Sequence, residues 1–140
     1  MERLIAPLEF DLAKLPLTEM NRFLHQELDD GDTRTVTVVN PDGAHNIAVG
    51  LNQPVKIEIH GHAGYYAGGM NKHAVLTING NAGTGVGENM MSGRIHVKGD
   101  ASQSAGATGC GGLLIVDGNA SARCGISLRG LDIVVKGSVG

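Results

Sequence analysis

The chain has 140 residues, enough for one domain with a modest core. Its formal net charge of −3 carries no basic footprint for nucleic acid or an anionic membrane. Its longest apolar runs are four or five residues, too short to span a bilayer as a helix. The first residues, MERLIAPLEFDLAK, carry charges throughout and lack the apolar region of a signal peptide. With only two cysteines, this predicts a cytoplasmic protein in a reducing compartment. There is no Trp and there are four aromatic residues in all, so the core has to be built from Ile, Leu, Val and Ala.

Residues 1–35 read as a capping segment. Thr18 is a candidate N-cap, followed by Met20, Leu24 and Leu28 at helical spacing with Phe23 beside them, and Gly31 is a stop. Arg34–Val39 alternates as a strand. From 36 onward a solenoid is expected. Residues 48–51, AVGL, match AGGM at 67–70, which predicts an imperfect turn 19 residues ahead of the clear ones.

The composition changes near Ile57. All four prolines and both phenylalanines precede it, whereas 19 of the 22 glycines lie between 57 and 140. Cut every 19 residues, that stretch reads IEIHGHAGYYAGGMNKHAV (57–75), LTINGNAGTGVGENMMSGR (76–94), IHVKGDASQSAGATGCGGL (95–113) and LIVDGNASARCGISLRGLD (114–132). A fifth copy, IVVKGSVG, occupies 133–140.

The columns of this repeat have physical meaning. Ile57, Leu76, Ile95, Leu114 and Ile133 form one apolar column, and Ile59, Ile78, Val97, Val116 and Val135 another. The column between them, Glu58, Thr77, His96, Ile115 and Val134, faces out by strand alternation. Gly61, Gly80, Gly99, Gly118 and Gly137 fit a turn with positive φ or a place with no room for a side chain. Ala63, Ala82, Ala101, Ala120 and Val139 return inward, and Ala67, Val86, Ala105 and Cys124 are each followed by Gly68, Gly87, Gly106 and Gly125.

Nineteen residues are too few for a helical repeat, and glycine at this density opposes helix. The pattern predicts an all-β fold, a parallel β-helix in which like positions stack at ~4.8 Å and each turn buries its apolar face against its neighbours. The period is not a multiple of six, which favours a right-handed coil over a left-handed hexapeptide helix.

Several chemical motifs are explained by the repeat itself. Gly83-Thr-Gly85-Val-Gly87 resembles a phosphate loop, but ENMMSGRIHVKG after it is too glycine-broken for the required helix. His60, His62 and His73 are near one another in sequence, but their columns hold Asn, Lys and Asp, as solvated surface positions do. The carboxylates Glu58, Glu88, Asp100, Asp117 and Asp132 occupy five different columns, against the paired acids of glycoside cleavage. Lys98, Asp117 and Lys136 alternate charge down one column. Cys124 reads as an inert thiol, and its column differs from that of Cys110, so no disulfide is expected. Tyr65 and Tyr66 are the only aromatics of the repeat, fitting an interface anchor and plain surface equally well. No catalytic, cofactor-binding or metal-binding residue is assigned. Ile115 and Val134, where the outward column turns apolar, are the candidate interface.

The motif Gly-x-x-Gly-x-x-x-Gly reads GHAGYYAG (61–68) and GNAGTGVG (80–87), then GDASQSAG (99–106) and GNASARCG (118–125) with Ser for the middle Gly. It resembles the β-helix module of the glutamate synthase large subunit. It is closer still to the stand-alone small subunit of N-methylglutamate synthase and related glutamate-synthase-like complexes. GHAGYYAGGMNKHA, NMMSGRIHVKGDASQSAGATGCGGLL and RCGISLRGLDIVVKG carry the closer match, which covers most of the chain from about residue 36. A similar module in formylmethanofuran dehydrogenase is the weaker match.

The resemblance implies a right-handed β-helix without catalytic residues of its own. It also implies two partners: a glutamine-amidotransferase-type subunit, and an FMN and iron–sulfur synthase subunit that carries the cofactors. Such modules continue for further turns, so a fragment of a longer subunit is one expectation. A self-associating solenoid, pairing through its open C-terminal edge, and an enzyme with its site on the solenoid surface are the others.

Overall fold

A computed structural model describes residues 8–26 and 35–140. In chain order they form β1 (Leu8–Asp11), α1 (Leu17–Gln26), β2 (Thr35–Val39), β3 (Lys56–His60), β4 (Val75–Asn79), β5 (Arg94–Val97), β6 (Leu113–Val116) and β7 (Asp132–Val135). The seven strands make one sheet in sequence order, each parallel to the next. From β3 to β7 the register steps by one 19-residue repeat without slippage: Ile57 lies beside Leu76, Leu76 beside Ile95, Ile95 beside Leu114 and Leu114 beside Ile133. The described residues form a parallel β-solenoid with one short helix.

The interior is built from the predicted columns. Ile57, Leu76, Ile95 and Leu114 are buried, as are Ile59, Ile78, Val97 and Val116, and the Ala63–Ala120 and Ala67–Ala105 columns belong to the same core. Ile133 and Val135 of β7 are only partly buried, and Val139 is exposed.

Each turn bends at a corner where alternate residues take positive φ. The sets are Asn46, Ala48, Gly50; Tyr66, Gly68, Met70; Gly85, Gly87, Asn89; Ser104, Gly106, Thr108; and Arg123, Gly125, Ser127. The middle position faces the core, where a Cβ on Gly68 would stand 2.7 Å from Ile95 Cδ1. The other glycine column has a different reason to exist. Gly80, Gly99, Gly118 and Gly137 do not need positive φ. A Cβ there would stand 2.5–2.8 Å from the carbonyl oxygen of the equivalent glycine one turn earlier. Gly61 alone in that column has φ +139, and Pro41 packs against it.

The turn before Ile57 departs from the expected spacing. Val36 pairs with Ile57, a step of 21, and the corner of Asn46 and Ala48 stacks on that of Tyr66 and Gly68, a step of 20. Ala48 therefore takes the place of Gly68, not of Ala67, and Ile47 is the buried member of the Ala67 column. The AVGL–AGGM match is off by one residue. One extra residue lies on each side of the corner, the first within the Asn40–Gly43 segment, where Asn40, Asp42 and Gly43 have positive φ.

The leader supplies both an additional strand and a plug. β1 was not anticipated from sequence, and it pairs along β2 from Leu8–Val36 to Asp11–Val39. Helix α1 begins at Leu17, with the Glu19 and Met20 amides donating to Pro16 O. Thr18 is thus inside the first turn rather than at the N-cap; Pro16 takes that place. Leu28, Gly31 and Arg34 lie outside the described residues. Met20 and Leu24 are fully buried, and Phe10 and Phe23 meet at 5.3 Å between ring centroids. Asn21 Nδ2 donates to Asn46 O at 2.8 Å, Asn21 Oδ1 accepts from the Ala48 amide, and His25 Nε2 lies 2.8 Å from Val49 O. Of these first-corner groups, the Ala48 amide and Val49 O are ones whose equivalents elsewhere pair with a preceding turn.

Candidate functional site

Side chains converge at three places on the surface of the described residues. The first is a polar ladder down one edge of the coil. His62 Nδ1 accepts from the Asn81 amide at 2.9 Å. Asn81 Oδ1 accepts from Asp100 N, Asp100 Oδ1 from Asn119 N, and Asn119 Oδ1 from Ser138 N, each at 2.8 Å. Every link spans one turn, so these exposed side chains are structural rungs rather than merely solvated. His62 also holds its acceptor nitrogen toward the backbone. Sequence reasoning missed this, although the recurrence of Asn and Asp at 81, 100 and 119 was the available signal.

The other histidines have separate partners. His60 Nε2 lies 3.7 Å from Glu58 Oε2, and the His73 amide donates to Ser92 Oγ at 2.9 Å. Among the described residues no three metal-ligating side chains form a group. Gly83–Gly87 lies in a corner, and the next element is β5 rather than a helix. Cys110 and Cys124 are free, and burial pushes the Cys124 thiol above its ordinary value.

The second place is the outer face of the sheet. His96 Nε2 lies 2.9 Å from Asp117 Oδ1, and Lys136 Nζ lies 3.0 Å from the same oxygen. These two partners, His96 foremost, lower the Asp117 carboxyl to about 2. The predicted Lys98–Asp117–Lys136 alternation is realised toward Lys136, while His96 from the neighbouring column takes the other side. Ile115 and Val134 are paired neighbours on β6 and β7 and point outward as expected; Val134 is 47% exposed.

The third place is a pair of clefts around the first turns. The larger, of about 770 Å³, lies between the leader and the first turn, lined by Leu12, Pro16, Asn40, Pro41, His60 and His62 among others. The smaller, of about 310 Å³, crosses three turns beside Tyr66, Met70 and Glu88. His45 stacks on Tyr65 at 4.3 Å, and Tyr65 meets Tyr66 edge-on at 6.4 Å.

Fold and surface together define a parallel β-solenoid in which one line of polar side chains, from His62 to Asn119, binds successive turns. A 56-residue stretch, 40% of the chain, is 52% identical to Protein GlxC of Rhizobium meliloti (strain 1021), and it spans 25% of that protein. No protein-family model and no solved structure matches the chain. No helix among the described residues is long and apolar enough to cross a membrane.

Proposed function

We propose that the chain is a non-catalytic scaffolding subunit of a glutamate-synthase-like complex of the N-methylglutamate synthase type. The observation that carries this reading is the Gly-x-x-Gly-x-x-x-Gly motif repeated in register. Its first glycine seats turn on turn, and its last forms the positive-φ corner. In this role the chain holds a glutamine-amidotransferase-type subunit and an FMN and iron–sulfur subunit in fixed relation, and the cofactors and substrate chemistry belong to those partners. The outward pair Ile115 and Val134 is one proposed contact.

Co-purification of the tagged chain from its native cytoplasm tests the reading. The expected result is a stoichiometric assembly with a flavin absorption spectrum that joins an alkylamine to a glutamate skeleton, the amino nitrogen of glutamate leaving as ammonia. A chain that purifies alone, or one that binds flavin by itself, overturns it. A chain that forms ordered homo-oligomers would instead favour a self-associating solenoid.

A further inference from the structure

The cleft beside Tyr66 combines three features found together nowhere else on the described surface. Tyr66 is 46% exposed and presents an aromatic ring at the positive-φ corner position that Asn46, Gly85, Ser104 and Arg123 fill in the other turns. Glu88 is a half-buried carboxylate with no cation or hydrogen-bond donor on it among the described residues. Asp11, Glu58 and Asp117, by contrast, each have a basic side chain within 4.0 Å. Met70, 45% exposed, supplies a polarizable thioether at the same cleft.

The ring and the carboxylate are side by side because Gly85 lies beneath both. A Cβ on Gly85 would stand 2.6 Å from Tyr66 Cδ1 and 3.0 Å from Glu88 Oε2. The edge-on contact with Tyr65, itself stacked on His45, holds the Tyr66 ring in place. Tyrosine, methionine and an unpaired carboxylate around an open cleft are complementary to one chemistry: a planar cation that stacks on the ring while its N–H groups bond the carboxylate.

We propose that this cleft receives an arginine side chain of a protein partner. The proposal rests on reading the chain as a subunit of an assembly, and it names one anchoring contact of that assembly. Arginine fits better than lysine, because the guanidinium plane can face Tyr66 and fork onto Glu88 at once. Tyrosine and arginine are also the residue types that dominate interface energetics.

The test uses the full chain with methyl-labelled methionine and follows the Met70 resonance by NMR. The probes are Nα-acetyl-arginine N-methylamide, its neutral citrulline counterpart and methylammonium. The arginine probe should shift Met70 saturably, with a dissociation constant on the order of millimolar. The citrulline probe should not, and methylammonium should bind about tenfold more weakly. Glu88→Gln should weaken the arginine response about tenfold. Tyr66→Asn should abolish it, and the backbone tolerates that change because Asn46 occupies the equivalent corner position. Unchanged melting temperatures confirm that both variants fold.

No saturable shift, an equal response to citrulline or methylammonium, or indifference to Glu88→Gln overturns the proposal. A wild-type chain that purifies alone would overturn the subunit reading instead, and the Met70 titration is unaffected by that outcome.

Discussion

Gly118 and Gly43 are both needed as glycines, for opposite reasons. Gly43 has φ +69 and open space around it, so Gly43→Ala should cost about 1 kcal/mol of backbone strain. Gly118 has no such φ, but its Cβ would stand 2.8 Å from Gly99 O, and the two turns cannot separate without breaking their ladder. Gly118→Ala should therefore cost about 3 kcal/mol by urea unfolding. A smaller cost than at Gly43 would mean that the turns stack more loosely than the structure shows. The same reasoning applies to Ala101, buried and bridged to Ala82, against Gln103, which is exposed. Ala101→Leu should lose ~1–3 kcal/mol and Gln103→Leu almost nothing. Equal midpoints would place the alanine column outside the core.

At the scale of elements, the strands are held together by charges and caps as well as by the core. The Asp117 carboxyl is held near 2 by His96 and Lys136, below its ordinary value near 4. A depressed carboxyl contributes stability that is present above its unfolded pKa and is lost as pH falls through its folded one. The urea midpoint of the wild type should therefore fall between pH 4 and pH 2 more steeply than that of Asp117→Asn. Parallel pH profiles for the two proteins would show that the His96–Asp117–Lys136 cluster is not stabilising. At the other end of the molecule, Asn21→Ala removes the partners of Asn46 O and the Ala48 amide. It should cost ~1–3 kcal/mol and speed hydrogen exchange at Ala48 before any amide of β4 or β5. Uniform loss of protection across all turns would mean that α1 does not cap the first corner separately.

For the whole molecule, the solenoid puts its variable residues on the outer face of the sheet, where successive turns form a continuous strip. Glu9, Thr37, Glu58 and Thr77 precede His96, Ile115 and Val134 along that strip. Replacing Ile115 and Val134 together with Thr keeps β-branching and strand alternation. It should weaken co-purification with partner subunits while leaving the melting temperature within a few degrees. Intact assembly with a lower melting temperature would mean that these side chains stabilise the sheet and contact no partner.

What the sequence determined by itself was the coil and its register from Ile57 on. A 19-residue recurrence of alternating apolar residues leaves each turn only one way to bury its face, and every column from β3 to β7 sits where its period placed it. The outward direction of Ile115 and Val134 was legible for the same reason. The leader was not. Its short strand β1 has no periodicity to betray it, and Pro16 rather than Thr18 opens α1, because helix entry depends on which carbonyl the first amides can reach. The inserted residues before Ile57 preserved a local likeness while shifting the stack by one, and only the corner's φ angles decided it. The His62–Ser138 ladder and the convergence of Tyr66 with Glu88 over Gly85 were likewise decided by tertiary structure. Both depend on side-chain directions across turns, and a one-dimensional period specifies which residues are neighbours but not which atoms face each other.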